Sequence, residues 1–121
     1  MADNQEAVER GQLAVVRADV DGIAVLALRG EIDYQSVGAL TRAMPPADPT
    51  TGPRVVVDLS GVGFMDSSGV NALVAAHHAT RAAQGWLRLA GVHGPVLRTV
   101  QLVGLDTVAP CHRTVEEALA A

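Results

Sequence analysis

Apolar positions along the chain recur with different periods, and each period marks a kind of element. Leu13 to Val20 reads as a strand. Asp21-Gly22 follows it as a two-residue hairpin signal, because both central positions of a type I′ turn need positive φ. Ile23 to Arg29 puts Ile23, Val25 and Ala27 on one face and Ala24, Leu26 and Leu28 on the other. Apolar residues on both faces predict a central strand covered on both sides. Val55-Val56-Val57, within Arg54 to Leu59, is a continuous apolar run and predicts a second buried strand. Trp86 to Ala90 alternates, with Leu87 and Leu89 on one face, so its other face is less buried.

The helical period appears between these strands. Gly30-Glu31-Ile32-Asp33 ends the first buried strand, and Asp33 and Ser36 are both candidate N-caps for a short helix to about Met44. Pro45, Pro46, Pro49 and Pro53 then forbid helix, and the stretch reads as a surface crossover. After Leu59, Ser60-Gly61-Val62-Gly63 reads as a turn. Val70, Leu73 and Val74 form the stripe of a helix from about Ser68 to Gln84, with Gly85 suited to the left-handed C′ position. Gly94-Pro95 opens another helix, with Pro95 at N1, a stripe of Val96, Leu97, Val100 and Val103, and Gly104 at its end. Val108 falls in a short strand or extended stretch. Thr114 and Glu117 form a capping box for a terminal helix.

The predicted order is β-β-α-β-α-β-α-β-α. That alternation implies an α/β fold: a mixed, mainly parallel sheet with an N-terminal hairpin, right-handed crossovers and about four helices. Residues 1–12 read as a flexible leader and residues 13–121 as a single domain. A chain of 121 residues is long enough to bury a core. With 20 Ala, 18 Val and only Tyr34, Phe64 and Trp86 as aromatics, that core is built from small and β-branched side chains.

Charge and composition exclude several functions. The net charge is −4, and all nine basic residues are scattered arginines, so the basic footprint of a nucleic-acid binder is missing. No stretch reaches about 18 consecutive apolar residues, the length of a membrane-spanning helix. The polar, acidic start is unlike a signal peptide. Cys111 is the only cysteine, so no intrachain disulfide can form, which fits the cytoplasm. No phosphate-binding loop, dinucleotide fingerprint or nucleophile elbow is present, so no cofactor is expected. His77 and His78 point about 100° apart on a helix and do not grip one metal, and Cys111-His112 lacks a second ligand pair at zinc spacing. His77 extends the stripe of Leu73 and Val74 and reads as a packed core-edge histidine.

One segment carries more information. Val55 to Gly69 is a strand, a glycine turn and then Asp66-Ser67-Ser68-Gly69 opening a helix. In open parallel sheets, functional groups gather at the carboxyl ends of strands. Any of Asp66, Ser67 or Ser68 fits as the helix N-cap. First-turn amides and the helix dipole also favour negative charge there, so a phosphate on Ser67 would be tolerated while adding about −1.5 to −2 units of charge to the surface.

From Leu13 onward the chain resembles the STAS-domain family, specifically the bacterial anti-sigma factor antagonists. The matching pieces are Gly30-Glu31-Ile32-Asp33, Val55-Val56-Val57-Asp58-Leu59, Phe64-Met65-Asp66-Ser67-Ser68-Gly69, and Val96-Leu97-Arg98 through Val103-Gly104-Leu105 with Pro110 after it. The resemblance implies a partner-switching protein of transcription regulation, of the kind used in stress response and sporulation. The unphosphorylated antagonist binds an anti-sigma factor that is also a serine kinase carrying the ATP, and so frees the sigma factor. Phosphorylation at Ser67 ends that binding, and a PP2C-type phosphatase resets it. Asp33, Asp66, Ser68 and Gly69 are implied as partner-binding residues around the acceptor. The antagonist is then a substrate and not an enzyme, a monomer or weak dimer. STAS domains also serve as scaffold subunits and as transporter accessory proteins, which gives two further expectations.

Overall fold

The computed structural model describes residues 13–45 and 52–121. The expected leader and most of the proline stretch lie outside the described residues. Five strands form one sheet in the order β1-β2-β3-β4-β5. They are β1 (Leu13–Val20), β2 (Ile23–Ile32), β3 (Arg54–Met65), β4 (Trp86–Ala90) and β5 (Cys111–His112). The β1–β2 pair is antiparallel and every later pair is parallel. Among the described residues there are four α-helices: α1 (Val37–Ala43), α2 (Ser67–Ala82) and α3 (Gly94–Leu102) connect strands, and α4 (Val115–Ala120) follows β5. The mixed, mainly parallel α/β architecture expected from the periodicities is the one observed.

The hairpin turn has the geometry its sequence asks for, with φ of 52° at Asp21 and 80° at Gly22. The apolar run in β3 also has its explanation. Val55 and Val57 face a large core with Leu26, Leu28, Leu73, Leu87 and Leu89, while Val56 faces a smaller one with Ile23, Val25, Ala90 and Ala118. Helices α1, α2 and α3 cover the first face and α4 the second, so β3 is buried on both sides. Trp86 packs at the second cluster with the Arg88 guanidinium 3.6 Å from its ring centre.

Several boundaries differ from the sequence reading. Both long strands run further than their apolar runs suggest. Gly30-Glu31-Ile32 continues β2, and Ser60-Gly61-Val62-Gly63 is strand in β3 rather than a turn. Arg29 pairs with Gly61, Gly30 with Val62, Glu31 with Phe64 and Ile32 with Met65, across two register shifts. Gly61 permits this because a Cβ there would lie 2.7 Å from the Leu28 carbonyl oxygen. At the end of α2 the left-handed residue is Gln84, with φ of 67°, and not Gly85. Gly85 N–H donates to the Thr80 carbonyl and Gln84 N–H to that of Arg81, which is a Schellman closure with Gln84 at C′. Gly85 is small for another reason, since a Cβ would collide with the Pro53 carbonyl. Val103 is about half exposed, outside the α3 stripe. Val108 is also exposed, after a 3₁₀ turn at Leu105–Thr107, and the last strand falls instead on Cys111–His112. Thr114 caps α4 as expected by accepting from Glu117 N–H, while the Glu117 carboxylate accepts from Arg113 N–H.

Candidate functional site

The parallel register of β2 and β3 puts Ile32 beside Met65, so the residues that follow, Asp33 and Asp66, leave neighbouring strands at the same end of the sheet. Asp66 N–H donates to the Ile32 carbonyl at 3.1 Å and ties the two exits together. Asp33 then closes a tight turn. Its Oδ1 accepts from Gln35 N–H at 3.0 Å and Ser36 N–H at 2.9 Å. Ser36 is buried and locks that turn, its hydroxyl donating to the Glu31 carbonyl and accepting from Asp33 N–H. Asp33 is thus the capping side chain ahead of α1, and Ser36 holds the helix start without a side-chain cap bond.

Of the three candidate caps of α2, the structure selects Asp66. Its Oδ1 accepts from Ser68 N–H at 2.8 Å and Gly69 N–H at 3.4 Å. Two of the first-turn amides that attract anions are therefore already taken by a carboxylate. Ser67 is the first helical residue. It is exposed, and its hydroxyl makes no hydrogen bond among the described residues. The Asp66 carboxylate thus already holds two of the amides that would face a negative group at this helix end.

Gly69 belongs to the packing rather than to the surface. It is buried, and a Cβ there would lie 2.4 Å from Met65 Cγ and 2.8 Å from Ile32 Cγ2. Its lack of a side chain seats the start of α2 on the two strand ends. Ser68 and Asp33 are half-buried at the rim.

Two exposed residues near these aspartates in sequence were not singled out by the sequence reading. Tyr34 is 82% exposed and Phe64 46%. They are two of the three aromatics in the chain, and each stands within two residues of one of the two aspartates. That coincidence was the available signal.

Other polar features lie elsewhere. Buried His77 has an Nδ1 without a partner, and burial, with His78 and Arg81 nearby, pushes its pKa below the ordinary value. Burial and the neighbouring Asp106 raise the Cys111 thiol, which leaves little thiolate at neutral pH. Among the described residues no group of three or more His, Cys, Asp or Glu is placed to hold a metal ion. An apolar cleft of about 270 Å³ between α1 and α2, lined by Leu40, Met44, Ala72 and Ala76 among others, carries no ionisable side chain among the described residues. None of the described helices is long and apolar enough to cross a membrane.

A strand-ordered sheet with an opening antiparallel hairpin, and an exposed serine at the head of the helix after its central strand, define a recognised class. The STAS domain model matches residues 14–118, and the chain belongs to the STAS-domain family. It is 34% identical over 110 residues to the anti-sigma-F factor antagonist RsfB of Mycobacterium tuberculosis, covering 88% of this chain and 87% of that protein. A solved anti-sigma factor antagonist of Mycobacterium paratuberculosis is 30% identical, with a TM-score of 0.69 over 91% of this chain and 93% of its own. A putative anti-sigma factor antagonist of Thermotoga maritima shares the fold, with a TM-score of 0.79 at 20% identity over 88% of this chain and 92% of its own.

Proposed function

We propose that this chain is an anti-sigma factor antagonist that works by partner switching in the cytoplasm. Its unphosphorylated form binds an anti-sigma factor that is also a serine kinase, and so releases the sigma factor. Transfer of a phosphoryl group from the kinase's ATP to Ser67 ends the complex, and a PP2C-type phosphatase restores it. The chain is then a substrate and a switch, and does no chemistry itself. One observation carries this reading most directly: the Ser67 hydroxyl is exposed at the head of α2 while Asp66 occupies the amides beneath it.

The docking surface in this reading is the rim around Ser67, with Asp33, Asp66 and Ser68, and with Tyr34 and Phe64 as its apolar contacts. A phosphate adds about −1.5 to −2 charges there. Desolvated beside Asp66 and badly paired across an interface, such a charge costs about 2–5 kcal/mol. At about 1.4 kcal/mol per decade, that weakens the complex from about thirtyfold to a few thousandfold. The fold itself is little affected, because the phosphate touches no packed group.

The test is intact mass and peptide mapping of the protein isolated from its host, beside Ser67→Ala, followed by affinity capture with each form. A phosphate on Ser67, absent in the variant, together with capture of a kinase only by unmodified protein, is the expected result. Ser67→Glu should lose that capture while its unfolding free energy changes by less than about 1 kcal/mol. Absence of phosphate under all growth and stress conditions would overturn the switch.

A further inference from the structure

Among the described residues the sheet has one long open edge. β1 lies at the end of the strand order, and among the described residues no strand pairs with its outer side. Its side chains are exposed from Val16 to Val20, on both faces. Val16 is 57% exposed and Val20 38%. Such an edge is a template for another strand unless the protein blocks it.

The hairpin fixes which backbone groups are available. With a two-residue turn, the closing pair Val20–Ile23 is a hydrogen-bonded one, and such pairs then alternate along the ladder. Val16, Ala18 and Val20 therefore turn their N–H and C=O groups toward β2. Val15, Arg17 and Asp19 turn theirs outward. An antiparallel partner must place its own outward residues opposite these, so only every second register is allowed.

We propose that this edge pairs with β1 of a second copy, two-fold symmetric about Ala18, to join two sheets into one. In that register Ala18 faces Ala18, Val16 of each copy faces Val20 of the other, and Arg17 of each faces Asp19 of the other. Every pair between Val16 and Val20 is then apolar with apolar or positive with negative. The neighbouring allowed register places Arg17 opposite Arg17, and like charges directly opposite are destabilising. In the single chain Arg17 and Asp19 pair with each other at 3.1 Å while both remain largely in solvent, so exchanging partners costs little. An isologous contact needs such self-complementarity. Helix α1 covers the same face only toward the Leu13 end, where Ala39, Arg42 and Ala43 lie beside Leu13, Val15 and Arg17. The pairing centre at Ala18 lies beyond it, opposite Val25 and away from the Ile32–Met65 end that carries Ser67. The two switch surfaces stay uncovered in the dimer.

Sedimentation equilibrium of the full chain over a concentration series tests this, with Arg17→Asp, Asp19→Arg, and an equimolar mixture of the two variants. The single variants set like charges opposite each other twice per dimer and should weaken self-association about tenfold or more. The mixture pairs an acidic strand with a basic one and should recover association, weaker at high salt. Circular dichroism checks that each variant is folded, since both positions are on the surface. A wild-type protein that stays monomeric up to about 1 mM overturns the proposal, as does a dimer indifferent to both substitutions or a mixture that fails to associate.

Discussion

Asp66 sets the start of α2: one carboxylate oxygen accepts from two first-turn amides, its backbone N–H reaches the Ile32 carbonyl, and Ser67 follows as the exposed first residue of the helix. Asp66→Ala should lower stability by about 1 kcal/mol, the usual worth of an N-cap, measured by urea unfolding. The sequence showed that a cap stood here but not which of three residues it was, because Asp and Ser are equivalent as caps until the backbone conformation is known. His77 was legible from its place on the apolar stripe. Its lowered pKa gives stability a pH dependence of definite sign. Above about pH 6.5 both folded and unfolded chains hold a neutral imidazole. Below that, the unfolded chain takes up a proton that the folded one refuses, so stability falls as pH drops from 6.5 toward the folded pKa. Unfolding midpoints from pH 7.5 down to 5.5 should fall in the wild type and fall less in His77→Leu, with His78 and Arg81 left in place.

At the scale of elements, the two strands that carry the site are longer than their hydrophobic signatures. β2 and β3 continue past their apolar runs through glycine-containing segments that look like turns in sequence. Glycine reads as a breaker when only φ and ψ freedom is considered. Here Gly61 supplies closeness between chains, which only the paired strand reveals. Gly69 supplies closeness in the same way, between the start of α2 and the side chains of Met65 and Ile32. Gly69→Val should cost about 1–3 kcal/mol through overpacking against Ile32 and Met65, although a mid-helix glycine is ordinarily the poorer choice by about 0.5–1 kcal/mol. A lowered urea midpoint checks this, and a raised one would mean that the space beneath α2 is open. The one-residue displacement of the left-handed position, from Gly85 to Gln84, has a similar origin. The pattern located the helix end, and contact with Pro53 decided where the smallest side chain had to go.

For the whole molecule, the alternation of periods was enough to order nine elements and to give the sheet its mixed character. Two-sided burial of β3 was readable from three consecutive valines. The placing of the site was not readable from any one segment. Asp33 and Asp66 are 33 residues apart in sequence and meet because parallel strands end in register. Tyr34 follows Asp33 in sequence and Phe64 stands two residues before Asp66, and both are exposed.

The third aromatic has a practical consequence. Trp86 is the only indole in the chain, and it begins β4 beside Arg54, at the far end of β3 from Ser67. Twelve strand residues at about 3.3 Å each separate the two by roughly 35 Å. Packed against the second core under a guanidinium, Trp86 should change its emission when the domain melts and stay silent when Ser67 is modified or a partner docks. Intrinsic fluorescence therefore monitors the integrity of the domain. Following the proposed docking needs a reporter at the other end, and Tyr34→Trp places one at an exposed position beside Asp33.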